Sequence, residues 1–471
     1  MRWTDRLIGI VSTLILARLL VPEDFGIVAM ASLVVALIDT LLDLGVGSAL
    51  VQNRNADRDD FNTAWTLGLL QALFAAGLIA FIGAPLAADY FNDPRVVDVL
   101  RVLSLSVLIA GFQNIGIVMF QKDMEFGRDF RFLFLRRIIG FTVTIALALW
   151  LQSYWAMVFG TLAGRFGGVV LSYYLHDYRP RLSLKCISKL WSFSQWILVR
   201  NLGSYGATQT DKIIVGRREG ASSLGAYTLA DEIAAMPTGE LLAPLGRVLF
   251  PAFVRVADQP EELRRIFCLA FGVQVLVALP AGVGLALVAP IAVPLLLGAQ
   301  WTMAIPLVQI LSLMSIGIAL AHGGGYLLLT LGKVRLLAVV TWLQFALLLL
   351  LVLLAFPTSH AAGIAGIRLA VSVVGMFILL ALVLWVMPSI RLLDLIITAW
   401  RPVIATGVMA TLLRYAELSP ALSPLGLLLA QIALGASSYG LTLLALWRLS
   451  GCQEGSESYL LDKLRVKQSI R

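Results

Sequence analysis

The chain has 471 residues, of which 59% are apolar and 14% charged, against about 25% charged in an ordinary soluble domain. With a mean hydropathy of +0.89, this excludes a soluble enzyme and describes a polytopic membrane protein, since about 20 apolar residues suffice for one crossing. The net charge of +8 reads as loop topology rather than as nucleic-acid binding.

In chain order, hydropathy predicts helical spans near residues 3–20, 25–49, 63–83, 97–119, 133–151 and 154–176. A polar break follows at 177–190. A second set lies near 191–215, 226–250, 266–290, 303–326, 334–356 and 361–387, and a last pair near 393–414 and 425–447. The ten-residue alternation of an outer-membrane barrel is missing. Assigned to alternate loops, twenty-three Lys and Arg fall on one side and six on the other. This asymmetry predicts both termini in the cytoplasm.

At an offset of 199 residues, ILARLLVPEDFGIVAMA from Ile15 lies over IVGRREGASSLGAYTLA from Ile214. Arg18 falls on Arg217, Gly26 on Gly225 and Ala31 on Ala230. The expected architecture is an all-α membrane protein of about fourteen helices. Two six-helix lobes, 1–176 and 191–387, are related by a pseudo-two-fold along the membrane normal. They are joined by a cytoplasmic linker at 177–190 and followed by a helix pair at 388–449 and a cytoplasmic tail at 450–471.

Charges within spans are costly and mark a wet interior, a partner or the interface. Asp39 and Asp43 share a helix face at i, i+4. They are candidates for ion or proton coupling, or alternatively for structural pairing with an arginine. Arg200, with Asn201 beside it, Arg165 and Arg368 are candidate substrate-binding residues, because a guanidinium suits phosphate oxygens; packing against an acid is the competing reading. Arg136 and Arg137 at the start of the fifth span read as topology, or as contacts for an anionic headgroup at the cavity mouth. Arg18, Asp211, Arg217, Asp231 and Glu232 mark equivalent corners of the two lobes and are candidate outer-gate residues, or simply solvated charges. Cys186, Cys268 and Cys452 have neither CxxC nor His-paired spacing. P-loop, HExxH, GxSxG and dinucleotide motifs are missing, so no cofactor, metal or catalytic residue is expected.

ARLLVPEDFGIVAMA, DLGVGSALVQ, DKIIVGRREGASSLGAYTLA, GRVLFPAF and LLLGAQW together resemble the bacterial polysaccharide transporter family. These are the Wzx-type flippases of O-antigen, teichuronic and colanic acid synthesis, in the superfamily of MATE exporters and lipid II flippases. The resemblance implies a two-lobed helical fold that carries an undecaprenyl-pyrophosphate-linked oligosaccharide between leaflets by gradient-driven alternating access, without bond chemistry. It also implies a polysaccharide polymerase and export machinery as partners beside the membrane lipids. Asp211, Gly216, Gly225, Tyr227, Pro237 and Arg247 carry the family's block as architectural residues, and the N-terminus begins short of where family chains do. Two alternatives remain open, a MATE-like exporter of organic cations and a membrane glycan polymerase.

Overall fold

The computed structural model describes residues 2–42, 50, 57–186, 194–354, 360–416, 423–451, 455 and 457–458; the side chains of 2–7, 121, 194–200 and 247 lie outside that description. The regular secondary structure of the described residues is helical, without strands among them. Ten of the described helical segments are long and apolar enough to cross a bilayer. A bilayer core offers no water to satisfy backbone groups, and a helix satisfies its own.

By contact density the chain forms two compact units, Met1–Thr228 and Leu229–Arg471. This division is a different quantity from the topological one at 177–190. The first unit contains α1 (Arg2–Leu19), α2 (Pro22–Leu42), α3 (Arg58–Leu78), α4 (Ala84–Phe91), α5 (Arg95–Gly111), α6 (Ile117–Lys122), α7 (Phe126–Leu151) and α8 (Trp155–Leu175), with the first part of α9 (Ser194–Arg255). The third predicted span ends at residue 83, but helix continues to Phe91 through a π-turn at Ile79–Gly83. Pro85 would clash with the carbonyl four residues earlier in a regular helix, and the widened turn removes that conflict. The seventh and eighth spans likewise form one helical run, interrupted only at Gly220, with φ of 74°. The loop expected between them is therefore almost entirely helical.

The second unit holds the rest of α9 with α10 (Pro260–Leu297), α11 (Ile305–Thr330), α12 (Val334–Leu354), α13 (Ala361–Val386), α14 (Leu392–Tyr415) and α15 (Pro424–Leu449). The run Ala299–Thr330 is 61% buried across its most apolar window, against 17% for α12 and α15. Thus α11 is the central post of this unit, packed by α10 and α13, while the others turn apolar surface outward. Phe253, Phe267, Phe271, Leu327 and Val383 form its core. Phe81, Trp150 and Leu449 are each at least 80% exposed, as lipid-facing side chains must be.

Within the first unit, the repeat becomes a contact. A Cβ on Gly26 would overlap the carbonyl of Ala221, and a Cβ on Gly225 would overlap the carbonyl of Pro22. At the offset of 199, Pro22 stands over Ala221 and Gly26 over Gly225, so the two contacts are images of each other. A two-fold relation produces this reciprocity. The glycines permit backbones to meet at the axis, as small residues do in membrane helices.

The segment after α8 is docked on α3 by buried polar side chains. Asn62 Oδ1 accepts from the Tyr178 hydroxyl and the Arg181 N–H, both at 2.9 Å. Thr66 Oγ1 accepts from Ser183 N–H at 3.0 Å and Thr63 Oγ1 from Cys186 N–H at 3.3 Å. Asn114 Nδ2 donates to the Tyr178 carbonyl at 2.6 Å, and His176 Nδ1 accepts from Tyr178 N–H at 3.0 Å. These bonds satisfy an extended backbone that has no sheet partner. Asp57, Asp60 and Cys186 converge here, but the two carboxylates are engaged in the reciprocal capping box of α3.

Gly26→Ala and Gly225→Ala should each destabilise the protein by about 1–3 kcal/mol through overpacking. Their combination should cost less than the sum, because both open one seam. Melting in detergent, with Gly366→Ala at an unobstructed position as control, checks this. Burial pushes the His176 imidazole below its ordinary value, an effect the carboxylate of Asp177 partly opposes. The neutral ring is therefore the form that the fold requires. Its contribution is complete above the ordinary histidine pKa of about 6.5 and is lost as pH falls below it. Hydrogen exchange at the Tyr178 amide, corrected for intrinsic rate, should accelerate from about pH 7 to about pH 5, and His176→Ala should abolish that dependence.

Candidate functional site

A cavity of about 500 Å³ opens inside the first unit, bordered by α2, α3, α5, α7 and α8. Its polar lining includes Asp39, Trp65, Gln71, Asp129, Arg136 and Arg165. On α3, Ala64, Trp65, Gly68, Gln71 and Ala75 line it, spaced as one helical face of small and polar residues. On α7, Asp129, Phe132, Leu133 and Arg136 recur at the same period. Gly140 and Gly164 bring α7 and α8 close, and Gly168 leaves room for the Arg136 side chain, whose Cδ would lie 2.7 Å from an added Cβ. The Arg136 guanidinium lies 5.6 Å from the centre of the Phe132 ring, a cation–π arrangement.

Three groups in this lining stand out. Arg165, exposed on α8, makes no hydrogen bond or ion pair with the described residues. Asp129 is 7% exposed, and its carboxylate likewise has no partner among them. The indole Nε1 of Trp65 is buried without a hydrogen-bond partner. A buried ionised group without a protein partner has to be compensated by water or ligand, since full desolvation costs several kcal/mol.

The other sequence candidates have different surroundings. Arg368 on α13 forms an ion pair with Asp231 on α9 at 3.8 Å, with side chains 12% and 18% exposed. A candidate substrate residue and a candidate gate residue are thus joined inside the second unit. Asp211 is fully buried and accepts from the Tyr227 hydroxyl at 2.7 Å. Arg217 donates to the Asp89 carbonyl at 3.0 Å and to that of Tyr90, with its guanidinium over the Tyr90 ring. It caps the carbonyl end of α4, where a cation is favoured. Arg18 is exposed at the end of α1, Glu232 is exposed on α9, and Asn201 is half-buried. Asp39 lines the cavity, whereas Asp43 and the Arg200 side chain lie outside the described residues.

Sequence reasoning missed several residues. Asp129 is concealed in a charged run between Arg128 and Arg131, while Arg136, which the sequence offers as a headgroup contact as well as a topology charge, lines the cavity. The face of α3 carried a usable signal, since Gly68, Gln71 and Ala72 interrupt an otherwise lipid-like helix. Arg401 lies inside α14 and pairs with Glu457 at 3.3 Å, the two side chains 6% and 8% exposed.

Residues 15–306 match the family described as "Polysaccharide biosynthesis protein". The chain belongs to this family. It is 27% identical over 331 residues to the lipopolysaccharide biosynthesis protein WzxC of Escherichia coli (strain K12), covering 69% of this chain and 67% of that one. It is 28% identical over 304 residues to the succinoglycan biosynthesis transport protein ExoT of Rhizobium meliloti (strain 1021), covering 64% and 61%. Among solved structures it resembles a lipid II flippase, MurJ, in an inward closed conformation, with a TM-score of 0.78 at 12% identity over 95% of this chain and 98% of that one. An inward-facing MATE transporter of the MOP superfamily gives 0.58 at 14% identity, covering 82% and 95%. This member of the polysaccharide biosynthesis family is a multi-pass membrane protein with the fold of MOP transporters.

The Asp231–Arg368 pair yields a stability test. Asp231→Asn and Arg368→Gln should each lower the melting temperature by removing one charge of a largely buried pair. The double variant should recover part of the loss, with a coupling of about 0.5–3 kcal/mol.

Proposed function

We propose that the protein is a flippase that carries a lipid-linked oligosaccharide, of the undecaprenyl-pyrophosphate class, across the bacterial inner membrane for cell-surface polysaccharide synthesis. Both termini are in the cytoplasm, and alternating access is driven by a gradient. No catalytic residue or cofactor takes part, and a polysaccharide polymerase and export machinery act after it. The observation that carries this reading is a polar cavity among membrane-spanning helices, holding an arginine that no described residue pairs. Family membership and the names of its relatives support the substrate class.

Unaided passage of a diphosphate and sugars through about 30 Å of hydrocarbon is prohibitive. A cavity substitutes fixed donors for water. Arg165 supplies a planar fork of donors that fits phosphate oxygens. Asp39 stands in the same cavity, and bringing an anion beside a carboxylate costs Coulomb energy that a bound cation offsets. Substrate entry is thereby coupled to ion uptake. Arg200, Asn201, Arg368 and Asp43 remain proposed members of the wider transport path. Arg18, Asp211, Arg217, Asp231 and Glu232 remain the proposed gate group, with Asp211, Arg217 and Asp231 acting through the local contacts described above.

In a strain that depends on this protein for export of its glycan, Arg165→Ala should reduce surface polysaccharide by at least about tenfold, the equivalent of a lost charge-assisted contact. Membrane abundance should stay normal, and Arg165→Lys should restore part of the export. Normal export by Arg165→Ala, or a purified protein that prefers cationic dyes to pyrophosphate lipids, would overturn the proposal.

A further inference from the structure

The flippase reading uses Arg165 and Asp39 of this cavity. Asp129 is unused. Asp129 is 93% buried by the complement of its 7% exposure, lines the cavity, and has no side-chain partner among the described residues. An anion such as diphosphate would repel it, so the same ligand group cannot satisfy both Asp129 and Arg165. Something in the cavity with hydrogen-bond donors has to face Asp129.

The neighbouring lining defines what that is. Gln71 and Gln113 add amide groups, each able to donate and accept. Trp65 adds an aromatic surface, with an indole N–H that no described residue accepts. A carboxylate acceptor, amides of both senses and an indole plane match a ring whose edge is studded with hydroxyls and whose faces carry C–H groups. A cavity of about 500 Å³ falls within the range that encloses small organic ligands, about 300–1,000 Å³. It has room for such a ring next to a phosphate.

Resting on the flippase reading above, we propose that the first unit's cavity contains a sugar subsite separate from the phosphate-binding arginine. In it, Asp129, Gln71 and Gln113 hydrogen-bond the hydroxyls of a hexose ring and Trp65 packs against it. Asp129 is then a specificity-determining residue rather than a coupling one. Its buried carboxylate favours hydroxyl donors and rejects a second anion, which fixes the orientation of a ligand having a neutral sugar at one end and a diphosphate at the other. Specificity from unpaired buried polar groups is stronger than from apolar fit, because a ligand lacking the hydroxyl leaves them stranded.

The test measures binding of two lipids to full-length protein in nanodiscs, bare undecaprenyl diphosphate and the same lipid carrying one hexose. Wild type should prefer the hexose-bearing lipid by at least about tenfold, one to two hydrogen bonds' worth. Asp129→Asn, Trp65→Leu and the milder Gln71→Leu should each cut that preference severalfold in monodisperse protein. Arg165→Ala should weaken both lipids and keep their ratio. Equal binding of the two lipids by wild type, or an unchanged preference in all three variants, would overturn the subsite. If Arg165→Ala leaves both affinities intact while the preference persists, the sugar subsite stands and the placement of the diphosphate falls.

Discussion

A charge on a membrane-spanning helix must either find a partner or border water, because hydrocarbon supplies neither donors nor acceptors. Most intramembrane charges described here obey the first option. Arg368 has Asp231, Arg401 has Glu457, Asp211 has the Tyr227 hydroxyl, and Arg217 has the open carbonyls of α4. Arg165 and Asp129 obey the second. They single out the cavity of the first unit on physical grounds, independently of any likeness to other transporters.

The two halves of the repeat therefore use similar chemistry for different ends. Each places an acid on its second predicted span and an arginine on its sixth, Asp39 with Arg165 and Asp231 with Arg368. Relative to the offset of 199, Arg368 stands one helical turn from the image of Arg165, and Asp231 two turns from the image of Asp39, displacements that preserve the helix face. In the second unit the two charges meet and cancel. In the first they line one cavity. A duplicated plan thus yields a structural pair in one half and a candidate site in the other, while Gly26 and Gly225 keep the axis closely packed.

The helical class and nearly every span were legible in the sequence, because a bilayer imposes a hydropathy pattern that needs no knowledge of contacts. The offset echo also carried real information, as the reciprocal approach of Gly26 to Ala221 and of Gly225 to Pro22 shows. What escaped were features fixed by tertiary neighbours. Arg368 and Asp231 are 137 positions apart in sequence, so their pairing was invisible. The π-turn before Pro85 reads as a loop start to any hydropathy window. Asn62, Thr63 and Thr66 look like the polar beginning of a span, and only the fold shows them holding residues 178–186. Asp39 and Arg165, which line the cavity, stand out in the sequence because charge in an apolar helix is conspicuous. Asp129 does not, because its neighbours are charged too.

The most direct measurement of the central claim is an experimental structure of the protein with undecaprenyl diphosphate bound. The account predicts the diphosphate inside the first unit's cavity, with phosphate oxygens within hydrogen-bonding distance of the Arg165 guanidinium. Diphosphate density on the second unit at Arg368, with the cavity beside Arg165 and Asp129 holding only water, would contradict it.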